Sequence, residues 1–404
     1  MSTDVSPAPV ERVTLRSGLS GRHNALGVIR FLLAAAVIVS HGFPLSGWGN
    51  DPFFTRFHSQ ENLGGVAVIG FFAISGYLIT RSGMASGVLE YIWRRALRIF
   101  PAFWIVLAVG AFIVGPAVWL MEQRPMSEYF TPGAGGPFGY ISLNWQLTIH
   151  QWGIHDIFAT TTPYGEIAGS VFNGSLWTLS YEWYCYLLIG VLVLFGVFSR
   201  AKIIIAALTV VFLFLQIVRF ASPQTLGQVV PWLSDPLTIN LTLIFLWGAC
   251  FAVYADKVII DDKLGLLAAA VTIYTLINGG FGIVGFPAFA YLLMWLAVRA
   301  PTPFKKMFSK NDYSYGIYLY GFLVQQFAAY MGWNRWGYPI YIVISLVLSC
   351  ALAFASWHLI EKRALALKDW GPGRGLNYWY QRVRARFGRA QASTNESIGD
   401  LNNG

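Results

Sequence analysis

Residues Asn24–Gly47 read NALGVIRFLLAAAVIVSHGFPLSG, an apolar run long enough to cross a membrane that carries two strongly polar groups, Arg30 and His41. In a helix, the eleven steps between them amount to roughly 1100°, three turns plus about 20°, so both side chains leave one face. A rise of about 1.5 Å per residue sets them about 16 Å apart along the axis. A cation and an imidazole are costly in hydrocarbon, which turns this face toward other helices and a cavity.

The same composition continues outward from this run. Of 404 residues, 56% are hydrophobic and 12% charged, against about 25% charged in soluble domains. Apolar stretches recur from Asn24 to Glu361, leaving no segment that would bury a soluble core of its own. The reading is all-α: a polytopic transmembrane helical bundle of about ten spans, near 25–46, 63–82, 101–121, 174–198, 201–219, 237–255, 264–279, 281–298, 313–331 and 339–361. The seventh and eighth are short and closely joined by NGGFG, so a re-entrant hairpin is the other reading there. Residues 1–23 form an N-terminal segment without the features of a cleavable signal, 24–363 the membrane domain, and 364–404 a basic tail that ends in a stretch expected to be disordered.

Charge gives the orientation. With both termini inside, the connections on the outer side hold only Arg56, Arg124, Arg219 and Arg335, while the inner connections and tail hold every other basic residue except Arg30. That imbalance follows the positive-inside rule and makes both termini cytoplasmic. The net charge of +9 then suits an anionic leaflet and calls for no nucleic acid. Cys185, Cys250 and Cys350 lie in separate apolar runs without metal-ligand spacing and read as small core residues. The longest connection, Glu122 to Asn173, is outer and rich in Gly, Pro, Trp and Thr, which marks it as functional.

Chemistry is carried by a few polar groups inside the spans. His41 is a candidate acid or base. Glu182, in NGSLWTLSYEWYCYLL, falls at a similar depth in the fourth span and is a candidate to orient the imidazole or act as a second acid or base. Trp177 and Tyr181 flank it as an interfacial belt or an acceptor-lining wall. In YIWRRALRIFPAFW, Arg95 and Arg98 lie three apart with Arg94 beside them: orientation charge, or a bidentate grip on phosphate. The second span's Gly64, Gly65, Gly70, Ser75 and Gly76 permit close helix approach or passage of a narrow ligand arm. DYSYGIYLYGFLVQQ is too polar to face lipid, and Glu361 beside Lys362 and Arg363 reads as a snorkelling surface cluster. These residues alone serve an enzyme or a transporter relay equally well.

As a set they resemble the acyltransferase 3 family, integral-membrane O-acyltransferases of bacterial surface glycans. The resemblance rests on Arg30 and His41 with ten residues between them, FFAISGYLI, RRALRIFP, SLWTLSYEWYCYL and YSYGIYLYG, and it covers Asn24 to about Arg363. Relatives commonly carry His where this chain has Tyr320. The resemblance implies a multi-pass protein of the bacterial inner membrane that uses acetyl-CoA or another acyl-CoA as co-substrate, with no permanently bound cofactor and no metal. Its acceptor would be a hydroxyl of an exopolysaccharide, lipopolysaccharide or related glycan. It further implies His41 and Glu182 as catalytic residues, Arg30, Arg94, Arg95, Arg98, Ser75 and Gly76 on the donor side, and Trp177 and Tyr181 on the acceptor side. A secondary transporter of a sugar-linked or anionic solute is the rival reading, and oligomeric state is left open.

Overall fold

The computed structural model describes residues 12–21, 23–133, 135–222, 235–308, 311–375, 378–382 and 384. These residues are helical throughout, apart from turns, connections and one isolated antiparallel bridge between Thr14 and Ile259. Ten helices follow the ten expected spans: α1 Leu26–Leu45, α2 Leu63–Met84, α3 Val88–Met121, α4 Thr178–Leu194, α5 Ile203–Ala221, α6 Pro236–Val253, α7 Asp262–Asn278, α8 Phe281–Arg299, α9 Ser314–Tyr330 and α10 Tyr338–Asp369. Seven of them are long and apolar enough to cross a membrane; α4, α7 and α9 have 17 residues each. Helices α7 and α8 are separate elements joined through Gly279 and Gly280.

Several helix starts are dictated by short polar side chains that accept otherwise unpaired backbone N–H groups. Asn62 accepts from Gly65 N at 2.7 Å to open α2, and Asp235 and Asp261 do the same for α6 and α7. Helix α3 departs from expectation. The sequence reading starts this span near residue 101. The helix instead begins at Val88, runs through Pro101, and passes through a π-helical segment at Gly110–Val114. Arg94, Arg95 and Arg98 project from this helix, with Arg95 and Arg98 three apart as expected. Helix α10 likewise runs beyond its expected end, after a π-helical segment of its own at Trp357–Glu361.

The core brings α2 against α6, α4 and α1, and α9 against α1 and α10. Gly76 shows how closely the first pair packs: a Cβ there would run into the Phe245 carbonyl of α6. The N-terminal segment, expected only as a polar lead, docks onto the α6–α7 connection, with Leu15 N donating to Val258 O and Leu15 and Leu19 buried. The connection between α3 and α4 folds onto the bundle, burying Tyr129, Phe158 and Phe172. Arg124 fixes it by stacking on Trp119 and pairing with Asp156 at 2.6 Å. The tail stretches RVRARFGR and AQASTNESIGDLNNG lie almost wholly outside the described residues.

Candidate active site

Two cavities meet inside the bundle. One, of about 50 Å³, is lined by Arg30, Arg98, Glu182, Tyr186, Ser314 and Tyr315 among others. The second, of about 280 Å³, is lined by His41, Glu61, Asn62, Trp177 and Asn240 among others. Val68, Thr178 and Tyr318 line both, so three side chains from α2, α4 and α9 form the partition between an arginine cavity and a histidine cavity. The Thr178 and Tyr318 hydroxyls are 2.5 Å apart, and the Tyr318 hydroxyl also donates to Ser175 O at 2.8 Å. The shared face of α1 thus places Arg30 in one chamber and His41 in the other.

His41 Nδ1 lies 3.4 Å from Ser175 Oγ, and its ring stands edge-on to Phe322. Ser175 belongs to the turn before α4 and is held by Asn173, whose Oδ1 accepts from Ser175 N. The Nδ1 contact leaves Nε2 without a partner among the described hydrogen bonds. Glu182 does not supply the orienting contact expected of it. It accepts from Ser75 Oγ at 3.1 Å and from the Tyr186 hydroxyl at 2.5 Å, and it lines the arginine cavity. Equal depth on two helices fixed its level but not its azimuth, and Glu182 faces α2 and the arginines.

The arginine cavity is balanced by an acid that the sequence reading left out. Asp312, just before α9, pairs with Arg30 and lies 2.5 Å from Arg98 Nη2, while the Ser314 hydroxyl donates to its other oxygen at 2.6 Å. Burial alone would raise its carboxyl, but the two guanidiniums and Ser314 outweigh burial and hold it down at about 2. Glu361 is the second counter-ion. It was expected in a surface cluster, but it is buried, 3.3 Å from Arg98 Nη1 and held by the Ser356 hydroxyl. The available signal was general: guanidiniums inside apolar spans need acids, and Asp312 and Glu361 each sit at an end of a late span.

The remaining expected residues divide. Arg95 is half-buried one turn from Arg98, with Nη2 3.5 Å from Ser82 Oγ and Nε unpartnered. Arg94 turns to the rim, pairing with Glu90 at 2.6 Å and Asp369 at 2.9 Å. Ser75 acts through Glu182. Gly76 is a packing position, its open side filled by α6, and it lines neither cavity. Trp177 lines the histidine cavity, whereas Tyr181 donates to Asp235 Oδ2 at 2.5 Å and ties α4 to the start of α6. Among the described residues no cluster of His, Cys, Asp or Glu has a metal-binding arrangement.

A bundle with an imidazole chamber and a guanidinium chamber back to back has the parts of a group-transfer enzyme, and comparison with known proteins gives the class. Residues 23–358 match the family model described as an acyltransferase domain, so the chain belongs to the acyltransferase 3 family. It is 30% identical over 357 residues to the O-acetyl transferase of Shigella phage Sf6, covering 85% of this chain and 96% of that one. It is 28% identical over 375 residues to nodulation protein 10 of Rhizobium leguminosarum bv. viciae, covering 86% and 95%. No solved structure matches it. The chain is an O-acyltransferase with several membrane-length apolar helices.

Proposed function

We propose that this O-acyltransferase moves an acetyl or other short acyl group from cytoplasmic acyl-CoA to a hydroxyl of an extracytoplasmic or membrane-linked glycan. The observation that carries the reading is the pair of cavities, guanidiniums in one and imidazole in the other, separated by three side chains. The arginine side receives CoA, with Arg94 at the rim, Arg95 one turn from Arg98, and Arg30 and Arg98 within the cavity as phosphate partners. Asp312 already occupies Arg30 and Arg98, so phosphate binding there exchanges one anionic partner for another. Glu182 keeps net positive charge in that chamber in check, in place of a role at His41.

The acyl group reaches the histidine chamber past Tyr318 and Thr178. His41 Nε2 takes the proton of the acceptor hydroxyl as its oxygen attacks the thioester carbonyl carbon. The carbon–sulfur bond then breaks, and the thiolate leaves with the proton that the imidazole had taken. Ser175 holds Nδ1 and so fixes which nitrogen faces the reaction. The protein spans the bacterial inner membrane with the arginine side cytoplasmic.

The test uses purified protein in proteoliposomes with acetyl-CoA and base-treated, and therefore de-O-acetylated, surface glycan. Wild type is expected to form alkali-labile acetate on the glycan, and His41→Ala to lose about 10²- to 10⁴-fold in rate while inserting normally. Full transfer by a well-inserted His41→Ala removes the base assignment. Movement of solute with no acyl-CoA consumed would make the protein a transporter.

A further inference from the structure

The histidine cavity holds a carboxyl that the acyl-transfer chemistry above does not use. Glu61 sits just before α2, and its Oε1 accepts from Asn240 Nδ2 at 3.3 Å. Asn240 is itself fixed, its Oδ1 accepting from Gln216 Nε2 at 2.9 Å, and both amides are buried. This relay from α5 through α6 sets the carboxyl plane. Oε2 has no hydrogen-bond partner among the described residues and lies over Gly65, where a Cβ would overlap it. The glycine pair that read as a helix-packing motif thus also makes room for this oxygen.

No basic group reaches ion-pair distance of Glu61 among the described residues; Arg219 acts on it only from farther off. This half-buried carboxyl therefore keeps one oxygen open to the cavity, with no cation beside it. The shape around it suits a single sugar ring: about 280 Å³ lies at the lower edge of the usual range for small-ligand sites, and Trp177, which lines the same cavity, is an aromatic residue suited to the carbon face of a sugar.

We propose that Glu61 binds the acceptor in the histidine cavity, its Oε2 accepting hydrogen bonds from sugar hydroxyls that flank the one His41 deprotonates. The ligand class is an uncharged sugar ring with adjacent free hydroxyls. The inference rests on the acyl-transfer reading and adds to it how the acceptor is held.

The experiment measures initial rates in proteoliposomes, varying acetyl-CoA and base-treated surface glycan separately, for wild type and Glu61→Gln. The expected result is a rise of tenfold or more in half-saturating glycan, with half-saturating acetyl-CoA shifted less than twofold and the saturating rate lowered less than threefold. Unchanged glycan dependence overturns the proposal, and so does a loss confined to the saturating rate. A second measurement needs no variant: Glu61 of wild type is labelled with a hydrophobic carbodiimide and read by peptide mass spectrometry. The glycan should slow that labelling at least fivefold and CoA should not; equal labelling with and without glycan also overturns it. Absence of transfer by wild type to any glycan, by contrast, defeats the acyl-transfer reading itself.

Discussion

At the scale of single residues, Asp312 holds together the charges on which the arginine cavity depends. Removing the acid of a part-buried pair leaves Arg30 uncompensated, a loss smaller than the about 3–5 kcal/mol of a fully buried pair. Asp312→Ala should therefore lower the thermal unfolding midpoint in detergent far more than loss of an exposed acid would; an unchanged midpoint would mean that solvent already screens the two arginines. Its carboxyl, held down at about 2, contributes stability that is present above the ordinary carboxylate range and is lost as pH falls toward 2. Glu61 has the opposite sign. Burial, only partly offset by Asn240 and Arg219, pushes it up to about 7, so its contribution to stability is present in acid and lost as pH rises through 7. If the ionised form binds the acceptor, half-saturating glycan should fall about tenfold from pH 6 to pH 8 in wild type and stay flat in Glu61→Gln. His41 and Arg219 are the charged or titratable neighbours in play, and Gln at position 61 leaves both in place. A wild-type profile as flat as the variant's would rule out ionisation of Glu61 as the control. Arg30 and His41 were legible because helical period alone joins residues eleven apart. Asp312 was not, because it meets Arg30 across 282 positions and only folding supplies that contact. Glu61 was not singled out in the sequence, since its partner Asn240 lies 179 positions away.

At the scale of elements, function turns on where α2, α4 and α9 touch. The Tyr318 hydroxyl bonds both Thr178 and Ser175, so one side chain latches α9 to α4 and also braces the residue that contacts His41. A site that excludes water protects a reactive acyl group from hydrolysis. Tyr318→Phe, which keeps the ring and removes the latch, should raise free acetate relative to glycan ester when both are quantified from one reaction; an unchanged ratio would reduce Tyr318 to packing. Apolar length was enough to find the ten helices, because hydrocarbon demands that backbone groups be satisfied within each segment. It was not enough to find where α3 begins, since the charged turns before Pro101 are helical too and a proline is tolerated inside a membrane helix. The orientation of Glu182 was similarly hidden: a helix fixes depth by counting residues, but its rotation is set by neighbours, here Ser75 and Tyr186.

At the scale of the whole molecule, the two chambers give the bundle a direction, since Arg30 and His41 lie toward opposite ends of α1 and the connections alternate between those ends. The basic residues concentrate at the arginine end, which the positive-inside rule predicts to be the cytoplasmic one. Donor and acceptor would then never share a compartment: CoA phosphates stay where acyl-CoA is made, and the glycan arrives from the opposite face. This arrangement can be tested without activity. In a background lacking Cys185, Cys250 and Cys350, single cysteines are introduced as Ala85→Cys, in the α2–α3 connection at the arginine end, and Thr55→Cys, in the α1–α2 connection at the histidine end; both positions are exposed. A membrane-impermeant maleimide that passes the outer envelope should label Thr55→Cys in intact cells and Ala85→Cys only after the membrane is opened. The reverse pattern would put the arginine cavity outside, where acyl-CoA is absent, and the cytoplasmic donor would have to be given up even if His41 and Glu61 kept their roles.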